Sequence, residues 1–279
     1  FILNLIPVYA EGFLRSKADI ASVYFFGKKK YKDYEIISSL NIVALATSFI
    51  FIIFVYLFSD FLYSYLFTNS TINLKLEFFI ILIQIPLQFL SLNYSYYHIA
   101  IDNITVYNKK IIFQSFSYSL ISISLIYLLN LGLWSVIIAS IFGHLISLIY
   151  GYIKVNNNIR YKYSFNLNLT KSIIKYGFNF YVSGILSFFQ NEGIKSISLF
   201  FLKSSGIAFL GQGQNIGQLL NKINQSVETI IYPNISRAKS KIDSLKLTLK
   251  SYRLTLILLT LSSITLYLLS DLIITTLYG

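Results

Sequence analysis

The sequence predicts an all-α polytopic membrane protein. Three observations carry that expectation: 55% of the 279 residues are hydrophobic and only 12% are charged, charge-free apolar runs of bilayer length recur along the chain, and basic residues gather in alternate connections. Charged residues make up about a quarter of ordinary soluble domains, so a soluble enzyme or a disordered chain fits poorly. No cysteine is present, which excludes disulfide frameworks and cysteine-based metal sites. The two histidines, His98 and His144, lie too far apart in sequence for a short metal motif. Neither a metal nor a cofactor is therefore expected. The chain also has no methionine. A reading frame starts with one, so the chain is expected to be part of a longer protein.

A spanning helix needs about 20 mostly apolar residues, because nothing in the bilayer interior can satisfy free backbone groups. The stretches that qualify, in order, begin with Phe1 to Phe26, which carries ions inside an apolar pattern. Ile36 to Phe58 and Phe78 to Ile101 are free of charge. Ile111 to Ile153 holds no charged residue and is long enough for two spans, broken at Asn130-Leu131-Gly132, a turn-forming triplet. Tyr176 to Leu202 and Ile207 to Tyr232 contain ions, and Leu254 to Ser270 is apolar. The expected total is about eight transmembrane helices. Pro86 inside the third span is a candidate kink.

The connections alternate in charge. Lys28, Lys29, Lys30 and Lys32 occupy one connection, Lys109 and Lys110 another. Lys154, Arg160, Lys162, Lys171 and Lys175 fall in a third; Arg237, Lys239, Lys241, Lys246, Lys250 and Arg253 fall in a fourth. The connections between them hold Lys75 and Lys203 alone. Basic loops stay cytoplasmic, so Phe1 starts outside and the first helix runs inward. Orientation thereby accounts for the net charge of +12, and nucleic-acid binding loses its support. Trp134 and the tyrosines near span ends suit interfacial anchoring.

Tyr56-Leu57-Phe58-Ser59-Asp60-Phe61-Leu62 resembles Tyr267-Leu268-Leu269-Ser270-Asp271-Leu272-Ile273, and Leu66-Phe67 resembles Leu277-Tyr278 at the same offset. Each copy ends a helix that follows a basic connection. This reads as a duplication with both copies in the same orientation. The expected organisation is a first bundle over 1–153, a basic cytoplasmic linker over 154–175 and the start of a second bundle over 176–279. About one helix is expected to precede Phe1 and about three to follow Gly279.

Ionisable groups inside spans cost about 3 kcal/mol each on insertion scales and persist where they face a polar lumen or one another. Gln214, Gln218, Asn221, Gln225 and Glu228 are spaced 4, 3, 4 and 3, which places them on one stripe of a helix, with Lys222 beside it. The stripe is expected to line a solvated cavity; interhelical hydrogen bonding is the alternative. Glu192 and Lys195, three residues apart, suit either a functional or a purely structural pair. Glu11, Arg15 and Asp19 repeat every four residues, as a lumen-facing set or as an interfacial helix end. His144, among apolar neighbours, reads as packing. No nucleotide-binding or hydrolase motif occurs, so no enzymatic activity is expected.

Taken together, several segments make the chain resemble a polysaccharide flippase of the Wzx (O-antigen) type, in the superfamily shared with multidrug extrusion transporters and peptidoglycan lipid flippases. They are Gly12-Phe13-Leu14-Arg15, Phe26-Gly27-Lys28-Lys29-Lys30, Lys175-Tyr176-Gly177-Phe178, Asn191-Glu192 with Lys195, Gly206-Ile207-Ala208-Phe209-Leu210-Gly211 and Tyr232-Pro233-Asn234-Ile235-Ser236. The resemblance implies two parallel six-helix bundles around a central cavity. It implies alternating-access export of an undecaprenyl-pyrophosphate-linked oligosaccharide for O-antigen or capsule across the bacterial cytoplasmic (inner) membrane, in concert with other polysaccharide-assembly membrane proteins. On that reading Arg15, Lys195 and Lys222 would meet the pyrophosphate, and Gln214, Gln218, Asn221 and Gln225 the sugar hydroxyls. Glu192 or Glu228 would couple transport to a proton or sodium gradient. A multidrug or cation antiporter and a membrane-embedded glycan polymerase or glycosyltransferase are the alternatives.

Overall fold

A computed structural model describes residues 3, 5–13, 17–67, 74–189, 193–201, 204–237, 240–272 and 275, and the regular structure among them is all helical. The helices are α1 (Leu5–Phe13), α2 (Ala18–Lys28), α3 (Asp33–Leu57), α4 (Ser59–Leu66), α5 (Lys75–Ile80), α6 (Gln84–Ala100), α7 (Ile104–Leu129), α8 (Leu133–Ile159), α9 (Leu167–Phe188), α10 (Ile194–Phe201), α11 (Ser204–Arg237) and α12 (Lys241–Leu268). A 3-10 turn, Ile81–Ile83, joins α5 to α6. Among the described residues, five stretches are long and apolar enough to cross a membrane: α3, Lys75–Ala100, α7, α8 and Ile242–Leu268. The chain is an all-α polytopic membrane protein. It divides into two compact units, Phe1–Ser204 and Ser205–Gly279.

In the first unit, one face of α7 exposes Ile112, Phe116, Leu120 and Ile123, and α3 exposes Phe49, Ile50, Ile53 and Phe54. Apolar surface of that extent is a liability in water and a requirement in hydrocarbon. Behind it lies an apolar core formed by Leu5, Ile6 and Ala10 of α1, Ala44, Phe51 and Val55 of α3, Phe78 of α5, Ile85 and Phe89 of α6 and Ile137 of α8.

Helix α8 packs along α7 and α6 through a ridge of Ser135, Ala139, Gly143, Ser147, Gly151 and Val155, four residues apart and all buried. Small side chains at that spacing let helix backbones approach where lipid supplies no hydrophobic drive. A Cβ on Gly143 would stand 3.2 Å from the Gln114 carbonyl oxygen of α7. The α7–α8 turn forms at the Asn130-Leu131-Gly132 break, with Asn130 at φ 51° and Gly132 at φ 53°. Both lie in the left-handed region that Asn and Gly tolerate best.

Several local expectations need revision. Phe1 to Phe26 does not form one span: α1 ends at Phe13, α2 begins at Ala18, and Lys17 is left-handed at φ 51°. The four-residue spacing of Glu11, Arg15 and Asp19 therefore does not run along a single continuous helix. The connection after Ser59 contains α4. The basic connection is more helical than its charge suggests, since α8 continues to Ile159 and α9 begins at Leu167. The strap between them is pinned to α3. Ser38 Oγ donates to Tyr161 OH (3.2 Å) and accepts from Ser164 N (3.1 Å). Lys110, counted by charge pattern as a loop residue, lies in the second turn of α7 and is 2% exposed. Near Pro86 the chain tightens into the 3-10 turn just upstream, consistent with the amide hydrogen that proline cannot supply.

Candidate functional site

Helix α11 is continuous through the whole expected stripe, despite Pro233 in its last turns. Helical geometry therefore places Gln214, Gln218, Asn221, Gln225 and Glu228 on one face. Gln214 and Gln218 are half-buried; Asn221, Lys222, Gln225 and Glu228 are exposed. Gln214 Oε1 is buried without a hydrogen-bond partner among the described residues. Asn224 Nδ2 donates to Glu228 Oε1 at 3.0 Å, which fixes the carboxylate against its own helix. Ser226 and Thr229 return their hydroxyls to the backbone, to Lys222 O (2.8 Å) and Gln225 O (2.7 Å). The amides of Asn221 and Gln225 and the Lys222 ammonium are thus offered outward, while Gln218, like Ile216, Leu220, Ile223 and Val227, is half-buried. Such a face supplies donors and acceptors for hydroxyls and one cation for an anion.

Of the other expected site residues, Arg15 and Glu192 lie outside the described residues. Lys195 belongs to α10, with its side chain likewise outside. No distance relates them to the α11 stripe, which belongs to the second unit.

A second polar stripe, in the first unit, was not anticipated. Gln84, Gln88, Ser91, Ser95 and His98 of α6 repeat the 4, 3, 4, 3 spacing, and here neighbours cover it. Gln84 Nε2 lies 3.1 Å from His144 Nε2, and Gln114 Nε2 lies 3.1 Å from His144 Nδ1. Ser140 Oγ donates to Gln84 Oε1 at 2.6 Å. Gln88 Nε2 donates to Glu11 Oε2 at 3.0 Å, bringing α1 to α6. Ser91 and Ser147 share a hydroxyl contact of 2.9 Å. His144, read from sequence as packing, has a structural place here: it ties α6, α7 and α8 together through Gln84 and Gln114. The same residue count that finds the α11 stripe finds this one; serine and histidine simply stand out less than glutamine and lysine in an apolar run.

Between α2, α3 and α6 there is a cavity of about 20 Å³, lined by Asp19, Thr47, Phe89 and Asn93 among others. It has room for about one water molecule and none for a sugar. A hydroxyl-rich, bulky ligand therefore does not fit this cavity. The open α11 face does not limit ligand size in that way.

A sequence profile of a family described as polysaccharide biosynthesis protein matches residues 24–279. No curated protein and no solved structure matches the chain.

Proposed function

Given that the chain belongs to the polysaccharide biosynthesis protein family and is built of apolar membrane-length helices, we propose that it is a transporter that flips a polyprenyl-pyrophosphate-linked oligosaccharide across the bacterial cytoplasmic membrane. The observation that carries this reading is the α11 stripe. Its amides suit sugar hydroxyls, and Lys222 suits a phosphate oxygen in a site of low dielectric. Catalysis forms no part of the proposal. The work is binding on one side and release on the other, by rocking of helices around the polar face. Arg15 and Lys195 are the further candidate cations for the pyrophosphate. Glu228, held by Asn224, and Glu192 are the candidate coupling acids. Other membrane proteins of glycan assembly are the expected partners.

The test is genetic and biochemical together. Lys222→Ala and Gln218→Leu in the full-length protein are expected to remove most surface polysaccharide while leaving the amount of protein in the membrane unchanged. A lipid-linked sugar translocation assay in vesicles should fall in parallel. Normal glycan display and normal translocation in both variants would remove the stripe from the mechanism.

A further inference from the structure

Lys110 occupies a place where an ammonium is hard to keep. It is 2% exposed, and Nζ donates to Ser91 O and Ser95 Oγ, each at 2.5 Å. Gly151 of α8 leaves space for the lysine stem, since a Cβ there would stand 3.3 Å from Lys110 Cε. Two more bases flank it. His98 lies one turn beyond Ser95 on α6; it is fully buried beside the Gly151 backbone, and neither ring nitrogen makes a hydrogen bond of good geometry. His144 reaches α7 through Gln114, one turn beyond Lys110.

No acid neutralises this group from its own helices: α6, α7 and α8 contain no Asp or Glu. Their other ionisable side chains are Tyr94, Tyr96 and Tyr97 from α6, Tyr107, Lys109, Tyr118 and Tyr127 from α7, and Tyr150, Tyr152 and Lys154 from α8. The tyrosines hold no negative charge near neutral pH. Around these helices, Glu11 of α1 meets the seam at Gln88, 3.0 Å away, Asp19 of α2 lies with Phe89 and Asn93 of α6 around a small cavity, and Asp33 of α3 acts on Tyr97 of α6; α2 also carries Tyr24 and Lys28, and α3 carries Tyr34, Glu35 and Tyr56. A lone buried cation is costly without a counter-charge, and the bases around it offer the proton alternative seats.

We propose that Lys110, His98 and His144 form a proton-binding seam between α6, α7 and α8, separate from the α11 stripe, in which one proton is shared among three bases. The proton comes from water and returns to it, and no other group is consumed. A second proton would place two cations on three helices that carry no acid of their own, with the Glu11 carboxylate of α1 meeting them at Gln88; repulsion there is only weakly screened, so the seam loads one proton and resists the next. The proposal does not depend on the identity of the transported cargo.

Selective 13C-histidine labelling of the purified protein in lipid nanodiscs, with the His98 and His144 signals assigned by His98→Gln and His144→Gln, follows each imidazole separately. Titrated from about pH 4 to 9 around the ordinary imidazole range, at least one signal is expected to follow a two-step curve instead of a single-site curve. Lys110→Met is expected to move at least one midpoint by about one pH unit or more, a tenfold change in proton affinity. Single-site curves for both histidines, unmoved by Lys110→Met, would overturn the proposal. Where Lys110→Met fails to elute as a monodisperse species, the curves of the unaltered protein decide: a two-step curve supports the seam and two single-site curves refute it.

Discussion

Lys110 and Gly143 show how far neighbours decide the role of a residue. By charge pattern Lys110 is one more cytoplasmic base; in the fold its ammonium is enclosed against α6. What separates it from the exposed Lys109 is a single step of helical phase, about 100° around α7. Gly143 has a comparable hidden role, because a side chain there meets the backbone of α7, which cannot rotate away as a side-chain tip can. Gly143→Leu is accordingly expected to destabilise the protein by about 1–3 kcal/mol, the usual range for overpacking a close contact. The check is a lowered thermal unfolding midpoint in detergent, with Gly213→Leu as control. Gly213 has nothing within 4 Å of an added Cβ, so its substitution should leave the midpoint nearly unchanged.

Two helices carry polar stripes of one spacing in opposite settings. On α6 the stripe from Gln84 to Ser91 bonds to α1, α7 and α8 and works as an internal fastener, while His98 at its end is buried without such a partner. On α11 it stays largely open. Periodicity alone cannot separate these outcomes, since both stripes satisfy the same helical geometry. The difference lies in what faces them. His144→Leu should expose that difference. It takes from the Gln84 and Gln114 amides the imidazole nitrogens they reach, at about 1–3 kcal/mol for each buried group left unpaired. Membrane-embedded protein should therefore lose thermal stability. Gln225→Leu on the open stripe should cost much less stability and reduce export instead. A destabilisation by Gln225→Leu as large as that by His144→Leu would mean that the α11 face is a packing surface.

At the level of the whole molecule, the alternating charge of the connections predicts an orientation that can be tested cleanly. These 279 residues contain no cysteine, so labelling of single-cysteine variants is read against the unaltered protein. Lys162→Cys and Lys175→Cys lie at exposed positions of the basic connection, while Asp60→Cys lies on the opposite side of the membrane in this topology. An impermeant maleimide is expected to label Asp60→Cys in intact cells and the other two only after permeabilisation. The reverse pattern would invert the protein and place the basic end outside. An ion pair joining α4 and α5, Lys75 Nζ to Asp60 Oδ1 at 2.8 Å, is solvent-exposed, where such pairs add little stability. Asp60→Cys should therefore be tolerated.

From sequence alone came the helical class, the α7–α8 turn, the continuity of α11 through its polar face and the alternation of charge. Each of these follows from local chemistry: apolar length, left-handed tolerance at Asn130 and Gly132, and residue spacing along one helix. Tertiary structure alone decided that α1 and α2 are separate helices, that Lys110 is interior, that His144 binds three helices together and that the α6 stripe is closed. Those outcomes depend on which surfaces meet, and a polar side chain reads the same along the chain whether its partner is water, ligand or another helix.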